Sequence, residues 1–401
     1  MSRDLPAAQK TLICALFVSG AVLSLGGIDL VLPAIPALPD ALGGDEATAQ
    51  LVIAAYSFGV GAGLLVFGAL GARIGRGRTF AAAMALMALA SWACARAPTI
   101  EALIALRFLQ GLASASAATF GPGAIRAMFT ETGATKALGL LGSLESLAPA
   151  LAPIVGLWLL SLGGWQVSFE VMAVLAALLA VAALWFRGAI PDAATAPPPG
   201  GYRRLLGSPV YLRYATTQAL VLGGLLTFVF GAPAVFVRTM DGAVEDFIRM
   251  QVIGVSCFII VTNLSGFLVH RFGAERIIWI GSGLAAISAA GLLIFALSGS
   301  RDFLLLAILF APFNAGLGLR GPPGFLRAVI AGQGDDDRAA SLMILMILGA
   351  SAGGTALFAP FVGYGLPALT GLVLAMELAG LTALAVLPRL QTTPEPSHSG
   401  A

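Results

Sequence analysis

Long apolar runs separated by short polar segments dominate the pattern of this chain. A helix needs about 20 mostly apolar residues to cross the hydrocarbon core of a bilayer, and twelve runs of roughly that length occur. We predict spanning helices over 11–37, 49–71, 79–96, 99–125, 136–161, 166–187, 211–237, 248–270, 276–298, 302–330, 338–363 and 366–388. The first run is longer than the apolar region of a typical signal peptide, so we expect it to be retained.

The composition supports the same interpretation. Apolar residues make up 58% of the chain and charged residues 10%, whereas soluble proteins carry roughly 25% charged residues. The mean hydropathy is +0.94. So little charge cannot cover a surface in water, and we therefore predict an all-α integral membrane protein surrounded by lipid. No basic region with interleaved aromatic residues indicates binding to nucleic acid.

The polar segments divide the chain into two similar parts. The longest break between spans is rich in proline and follows the sixth span. We predict an N-terminal six-helix bundle over 1–187, a cytoplasmic linker over 188–210, a C-terminal six-helix bundle over 211–390 and a disordered cytoplasmic tail over 391–401. Arginine and lysine concentrate in the segments on one side of the predicted spans. Because such residues stay on the cytoplasmic side, we predict that both termini are cytoplasmic.

An internal repeat supports two related bundles. The segment after the second span reads GALGARIGRGR, and the segment after the eighth reads GFLVHRFGAER. Matching positions at one constant offset include Gly68, Arg73 and Gly75 in the first segment and Gly266, Arg271 and Gly273 in the second. We predict that these loops take part in gating. Two bundles related by an axis along the membrane normal place the substrate site near the midplane, between the halves.

Several motifs resemble those of the major facilitator superfamily. The segment GALGARIGRGR (68–78) resembles its loop motif, RFLQG (107–111) resembles the span-four motif of proton-coupled members, and SLAPALAPIVG (146–156) resembles the span-five antiporter motif. GIDLVLPAIP (27–36) and GWQVSF (164–169) are similar to the bicyclomycin-resistance and chloramphenicol-efflux (Bcr/CflA-type) branch. The resemblance implies the major facilitator fold, with twelve helices in two pseudo-symmetric bundles. It also implies export of drugs in exchange for protons across a bacterial inner (plasma) membrane.

The match is incomplete at two motifs. Ala72 stands where the loop motif usually has an acid, and Gly77 where it usually has a second basic residue. Leu157 follows Gly156 where the antiporter motif usually has a second glycine. The first departure puts a charge-relay or gating role of that loop in doubt.

The charged residues inside the predicted spans support a functional prediction that does not depend on the resemblance. A charge near the bilayer centre costs roughly 2.5–3.5 kcal/mol and needs a partner or an aqueous cavity. Asp29 and Arg107 each lie about 12 Å from the outer ends of their predicted spans, at 1.5 Å per residue. We predict that Asp29 binds and releases a proton and that the positive charge of Arg107 adjusts its proton affinity. The alternative is a static ion pair that joins two helices.

The fifth span carries a further acid beside two prolines. Glu145 precedes Pro149 and Pro153, and we predict a coupling role for the acid. The prolines should bend the helix, and Gly156 should permit close helix approach at an interface between the halves. With Arg76 of the loop, these residues form our predicted set for conformational change.

Polar and aromatic residues in other spans are candidates for the substrate cavity. The predicted lining residues are Tyr56, Gln110, Gln218, Phe228, Asn263 and Asn314. As a group they suit a drug-sized, mostly apolar molecule. We expect the Arg320 side chain to extend to the inner membrane interface. We expect Asp335, Asp336 and Asp337 to form a solvated loop. The sequence assigns no role to Glu377.

The sequence excludes several function classes. No Walker A sequence is present, so a proton gradient rather than a nucleotide or other cofactor is the expected energy source. Only two histidines occur, His270 and His398, which argues against a metal site or a membrane enzyme. We predict a monomeric proton-coupled antiporter whose partners are protons, lipid and a small organic molecule. The alternative is a proton-coupled symporter or facilitator for an amino acid, sugar or organic acid.

Overall fold

The structure is a computed structural model that describes residues 5–192, 199–240, 242 and 244–390. Among these residues every regular element is a helix. Ten stretches of them are long and apolar enough to cross a membrane, and one of these, Asp336–Val386, contains two helices. The predicted all-α membrane architecture is therefore confirmed.

The membrane-length helices follow the predicted spans in order. They are α1 (Ala7–Asp29), α2 (Glu46–Ile74), α3 (Arg76–Cys94), α4 (Ile100–Ser114, continuing as Ser116–Met128), α5 (Glu131–Gly163), α6 (Gln166–Phe186), α7 (Pro209–Thr239), α8 (Val244–Phe272), α9 (Ala274–Leu297), α10 (Phe303–Ala331), α11 (Asp336–Phe358) and α12 (Gly365–Val386). Short helical segments cover Leu32–Ala37, Leu38–Leu42, Gly201–Leu206 and Ala359–Tyr364.

Local sequence signals set several of these helix starts. Asp45 accepts a hydrogen bond from the backbone N–H of Thr48 and forms a capping box at the start of α2. Thr99 and Ser208 accept backbone hydrogen bonds at the starts of α4 and α7. Such side chains satisfy the N–H groups that have no partner within the first helical turn.

Each half of the molecule has its own apolar core. One core runs from Ile13 to Ile190 and joins α1 to α6. A second, built around Phe228, Phe310 and Leu369, lies within the C-terminal half. The most extensive helix pairs also lie within a half, as in α2 with α4 and α8 with α10. The two halves are therefore packed units that meet along a smaller interface.

The predicted linker is more ordered than its proline content suggests. Its described part includes a helix, Gly201–Leu206, and α7 begins at Pro209. The Tyr202 hydroxyl donates to the carbonyl oxygen of Leu65 in α2, at 2.9 Å. Burial raises the pKa of Tyr202 to about 12, so the hydroxyl keeps the proton that it donates. Residues 193–198 of the linker and the tail 391–401 lie outside the described residues.

Close packing between α2 and α4 depends on glycine. A Cβ atom added at Gly111 would lie 2.1 Å from the backbone oxygen of Tyr56, and one added at Gly59 would lie 2.2 Å from that of Phe108. Backbone atoms on both sides leave no flexible side chain to move aside. The two helices thus approach each other as closely as glycine permits.

We expect Gly111→Ala to destabilise the protein by about 1–3 kcal/mol, the usual cost of overpacking. The thermal unfolding temperature of the purified protein measures this loss. Gly283→Ala is the matched control, because no heavy atom lies within 4 Å of a Cβ at that position in α9. Equal unfolding temperatures for the two variants would contradict the packing argument.

Candidate functional site

Asp29 is the last residue of α1, where the first membrane helix is interrupted. The chain continues through a 3₁₀ segment that begins at Leu32 and carries Pro33 in its first turn. Because proline supplies no backbone N–H, an α-helix cannot continue unbroken through it. The predicted first span over 11–37 is therefore confirmed as an apolar stretch of membrane-spanning length, Ala7–Ile35, but its α-helix is interrupted near the C-terminal end of that stretch. The Asp29 side chain is half-buried, and among the described residues it forms no hydrogen bond or ion pair.

Tyr56 of α2 lies between α1 and Arg107. Its hydroxyl donates to the carbonyl oxygen of Ser24 in α1, at 2.7 Å, and a Cβ added at Gly27, two residues before Asp29, would lie 2.3 Å from the same hydroxyl oxygen. The Arg107 guanidinium lies 4.3 Å from the centroid of the same ring. The aromatic ring therefore forms a physical link between the end of α1 and the buried cation of α4.

Arg107 itself is enclosed by the N-terminal half. It donates to Gln110 Oε1 at 2.7 Å and to the Val52 carbonyl at 3.2 Å, and its side chain is fully buried. Its Nη2 has no hydrogen-bond partner among the described residues. No direct Asp29–Arg107 ion pair forms there, so the static-pair alternative does not apply. The expectation that both charges share a cavity layer is wrong for Arg107, because α4 turns this face towards α2 and α6.

Most predicted cavity residues are also buried inside a half. Tyr56 and Gln110 are fully buried in the N-terminal half. In the C-terminal half Phe228 stacks on Phe310 with centroids 5.0 Å apart, and Asn314 donates to the Phe310 carbonyl. Gln218 is also buried. These side chains therefore pack inside the bundles and do not line an open cavity here.

Asn263 is the predicted lining residue that the structure places between the halves. It donates to Ser143 Oγ of α5 at 2.8 Å. Close by, a Cβ added at Gly139 of α5 would lie 2.7 Å from the Thr262 carbonyl of α8. The part of α5 around Gly139 and the part of α8 around Thr262 thus form a tight contact between the two halves.

Glu145 follows this contact along α5 and is half-buried. Among the described residues it forms no hydrogen bond or ion pair, so the acid is available to a proton or a ligand. The side chains of Pro149 and Pro153 lie outside the described part of the structure, although the backbone there is helical. Their predicted bending role stays a prediction.

Gly156 joins α5 to the break in α1. A Cβ added at Gly156 would lie 2.4 Å from the backbone oxygen of Leu30, the residue after Asp29. Ser168 of α6 donates to the same oxygen at 3.3 Å. The expected glycine contact between halves is therefore wrong at this position, since α5 tilts here towards α1 of its own half. The observed contact places Gly156, the glycine of the antiporter-like motif, against the residue that follows Asp29, the candidate proton site.

We expect Gly156→Ala to reduce transport roughly tenfold, because overpacking costs about 1–3 kcal/mol and each 1.4 kcal/mol is a factor of ten. The initial rate of uptake into inverted vesicles measures the effect. Gly349→Ala in α11 is the matched control, with no heavy atom within 4 Å of the added Cβ. A normal rate for Gly156→Ala would show that the α1–α5 contact does not limit transport.

Ion pairs gather where the start of α3 meets the start of α11, and we call this region the closed end. Arg76 Nε lies 2.7 Å from Asp337 Oδ1, and Arg126 pairs with Asp336. Nearby, Arg327 lies 2.8 Å from Glu131. Each pair joins one half to the other. The closed end is thus held by charges as well as by packing.

The acids of this network were misjudged from the sequence. Asp335, Asp336 and Asp337 are all buried, so the predicted solvated loop is wrong. Asp335 pairs with Arg338 three residues later, whereas the partners of Asp336 and Asp337 lie far away in the chain, and Arg76 is 261 positions from Asp337. One signal was available: the loop motif lacks its usual acid at Ala72, so its arginines need an acid from elsewhere.

Glycines next to this network leave the space that its charged side chains occupy. A Cβ at Gly71 would lie 2.7 Å from Asp337 Oδ2, and one at Gly123 would lie 2.5 Å from Arg76 Nη2. Gly75 has φ of 95°, which favours glycine, and the next N–H donates to Asp192 Oδ1 at 2.7 Å. The glycine spacing of the loop therefore serves one buried arginine.

The other predicted gating residues do not share this network. Arg73 is exposed, and Arg271 is exposed beside the Phe272 ring. A Cβ at Gly266 would meet Lys136 of the other half, whereas one at Gly273 would meet nothing within 4 Å. At Gly68 it would meet Tyr202 and Ser341. The repeated loops are thus similar in sequence but unequal in contacts.

Two further charges are buried in the C-terminal half. Arg320 of α10 is fully enclosed and donates to the Thr217 carbonyl at 3.1 Å, so the predicted extension to the interface is wrong. Glu377 of α12 is also fully buried. Hydropathy does not distinguish the face of a helix turned to its own bundle from the face turned to lipid.

Known proteins resemble the chain over most of its length. The family profile described as Major Facilitator Superfamily matches residues 17–356. A chloramphenicol resistance protein of Pseudomonas aeruginosa is 31% identical over 164 residues, covering 40% of this chain and 38% of that protein. The multidrug resistance protein MdtL of Shewanella oneidensis is 24% identical over 299 residues, covering 73% and 76% of the two chains.

A solved structure also matches the fold. The Escherichia coli fucose:proton symporter FucP superposes with a TM-score of 0.73 at 17% identity, covering 96% of this chain and 99% of that one. At this identity the likeness concerns the fold alone.

Proposed function

The chain belongs to the major facilitator superfamily, and from that membership we propose that it is a proton-coupled antiporter that exports drug-sized organic molecules. It is a multi-pass membrane transporter and not an enzyme. Drug export is favoured because two relatives are named for chloramphenicol and multidrug resistance. The observation that carries the coupling is the half-buried Asp29 at a helix break, held one residue from the contact with Gly156.

The arrangement around Asp29 suits exchange of a proton for a drug. A carboxylate without a fixed partner is costly at this depth, so it gains from binding either a proton or a polar group of a substrate. When a proton neutralises Asp29, the attraction for the substrate falls and the substrate leaves. Gly156 then transmits the state of the α1 break to α5, which also contacts α8 of the other half.

Ion pairs between the two halves gather at the closed end, and this uneven distribution supports an alternating-access cycle. With the orientation predicted from arginine and lysine, the closed end faces the cytoplasm, and we propose that the opposite end opens outwards. Breaking the Arg76, Arg126 and Arg327 ion pairs would let the halves tilt and open inwards. The membrane proton gradient then drives the cycle with no further cofactor.

Growth assays in a host that lacks its own efflux pumps test this proposal. Expression of the chain should raise the inhibitory concentration of chloramphenicol or of other compounds in a drug panel. A collapse of the proton gradient by an ionophore should abolish the accumulation difference. Unchanged sensitivity to every compound, together with uptake of a sugar, amino acid or organic acid that acidifies the cell, would favour the symporter alternative.

A further inference from the structure

A second group of buried charges lies in the C-terminal half, away from Asp29. Arg320 and Glu377 are both fully buried, and Gln218 of α7 is 4% exposed. Counted along their helices at 1.5 Å per residue, the two charges lie about 13–17 Å from the closed end. They therefore share one depth, inside the bundle formed by α7, α10 and α12.

The polar atoms of this group are incompletely paired. Arg320 Nη1 donates to the Thr217 carbonyl, but its Nε and Nη2 have no hydrogen-bond partner among the described residues. Neither carboxyl oxygen of Glu377 has one, and Gln218 Oε1 has none. A buried carboxylate ion without a donor is far less favourable than a neutral carboxyl group in the same place. The geometry around Glu377 therefore suits the protonated form.

Small residues border both charged groups. A Cβ at Gly224 would lie 3.1 Å from Glu377 Oε1, and one at Gly324 would lie 3.4 Å from Arg320 Nη2. Pro322 follows Arg320 within α10 and removes a backbone hydrogen bond from the helix. The carboxyl and guanidinium groups thus occupy space that the missing glycine side chains leave free.

We propose that Glu377 and Arg320 form a second proton-binding site with two arrangements. In the arrangement of this structure Glu377 holds a proton and Arg320 donates to the Thr217 carbonyl. In the other, the carboxyl O–H bond breaks, the proton passes to water, and the guanidinium turns to pair with the carboxylate. One charge pair thereby replaces one bound proton.

Within the described part of the structure, the neighbouring helices supply no competing charge at this depth. Thr217 and Gln218 of α7 are neutral, and Arg213 is engaged by Glu275 at 3.1 Å, nearer the closed end. Ser282 of α9 is buried and neutral. Among the described residues of α7, α9, α10 and α12, Arg320 is the charged side chain that shares this depth with Glu377. Proton binding here stands by itself, whereas its role in transport rests on the proposed antiport.

Infrared difference spectra of the purified protein, recorded between acid and alkaline pH, test the site. The wild type should show the carbonyl band of a protonated carboxyl group that disappears in Glu377→Gln. Glu170→Gln is the matched control, because Glu170 is an exposed acid paired with Arg96 near the opposite end. It should keep the band. An unchanged band in Glu377→Gln would overturn the site.

Thermal stability separates the two-arrangement site from a permanent ion pair. Because glutamine resembles the protonated acid, Glu377→Gln should unfold at the wild-type temperature. A lowered temperature that the double variant Arg320→Met, Glu377→Leu restores would identify a fixed pair and overturn the proposal.

Transport decides the role in coupling. Proton-driven uptake into inverted vesicles should fall at least tenfold in Glu377→Gln, while energy-independent exchange of substrate continues. Full proton-driven uptake in a variant that has lost the band would overturn the coupling role alone. If the wild type transports no drug at all, the proposed function fails, and the infrared band still decides the proton site.

Discussion

Replacing Asp29 by asparagine should reduce proton-driven export by about 100-fold. Asparagine keeps the size and hydrogen-bonding capacity of the side chain but cannot exchange a proton, so it mimics the neutral state permanently. A loss of roughly 3 kcal/mol of the free energy that couples proton binding to transport corresponds to a factor of about 100 in rate. Uptake of a fluorescent drug into inverted vesicles with an imposed pH gradient measures the loss.

Two controls make the Asp29 result specific. Asp40→Asn removes an acid from the short helix Leu38–Leu42 and should leave the rate unchanged. The unfolding temperature of Asp29→Asn should match that of the wild type, because Asp29 forms no hydrogen bond or ion pair among the described residues. Export by Asp29→Asn at the wild-type rate would remove Asp29 from the coupling mechanism.

The second large effect is expected at the closed end. Arg76→Ala should lower transport by on the order of 100-fold, because it leaves Asp337 buried without its cation. Breaking a buried pair by removing one partner costs about 3–5 kcal/mol. That cost falls on the conformation in which the pair exists, so the population shifts towards the opposite opening. Labelling of cysteines placed on either side of the interface reports this shift.

Arg73→Ala is the matched control for Arg76→Ala. Arg73 lies on the same loop and is exposed, and it forms no ion pair among the described residues. Transport by this variant should remain near the wild-type rate. The exchange Arg76→Asp with Asp337→Arg should recover part of the activity. Equal losses in Arg73→Ala and Arg76→Ala would show that the loop acts through its overall charge and not through the buried pair.

The architecture was predictable because the bilayer imposes strong limits on sequence. Every backbone polar group must be satisfied within the lipid, so long apolar runs can only be helices. The runs therefore predicted the order of the twelve long helices. Their ends were less certain, and α1 ends at Asp29 because Pro33 follows, although the apolar run continues to residue 37.

The candidate site was only partly predictable from the sequence. Depth along a helix follows from counting residues, and it drew attention to Asp29, Arg107 and Glu145. The direction in which a side chain points does not follow, because the faces of an almost uniformly apolar helix differ little in hydrophobicity. Arg107 therefore lies inside its half against Tyr56, while Asp29 and Glu145 keep some exposed surface.

The ion pairs of the closed end were hidden for a different reason. Each joins residues from opposite halves, such as Arg126 with Asp336, and no local pattern links positions so far apart. The run of three aspartates was interpreted as a solvated loop because the arginines that pair with Asp336 and Asp337 belong to the other half, and the missing acid at Ala72 was only an indirect sign of them. Only the packing of the two halves brings these charges together.

Proton release from purified protein on addition of an exported drug tests the central claim most directly. If the drug and a proton compete for Asp29, binding of drug to the wild type should acidify a lightly buffered solution. The Asp29→Asn protein should release roughly one proton fewer for each drug molecule bound, since that position no longer titrates. Equal proton release by the two proteins at equal drug occupancy would contradict the account.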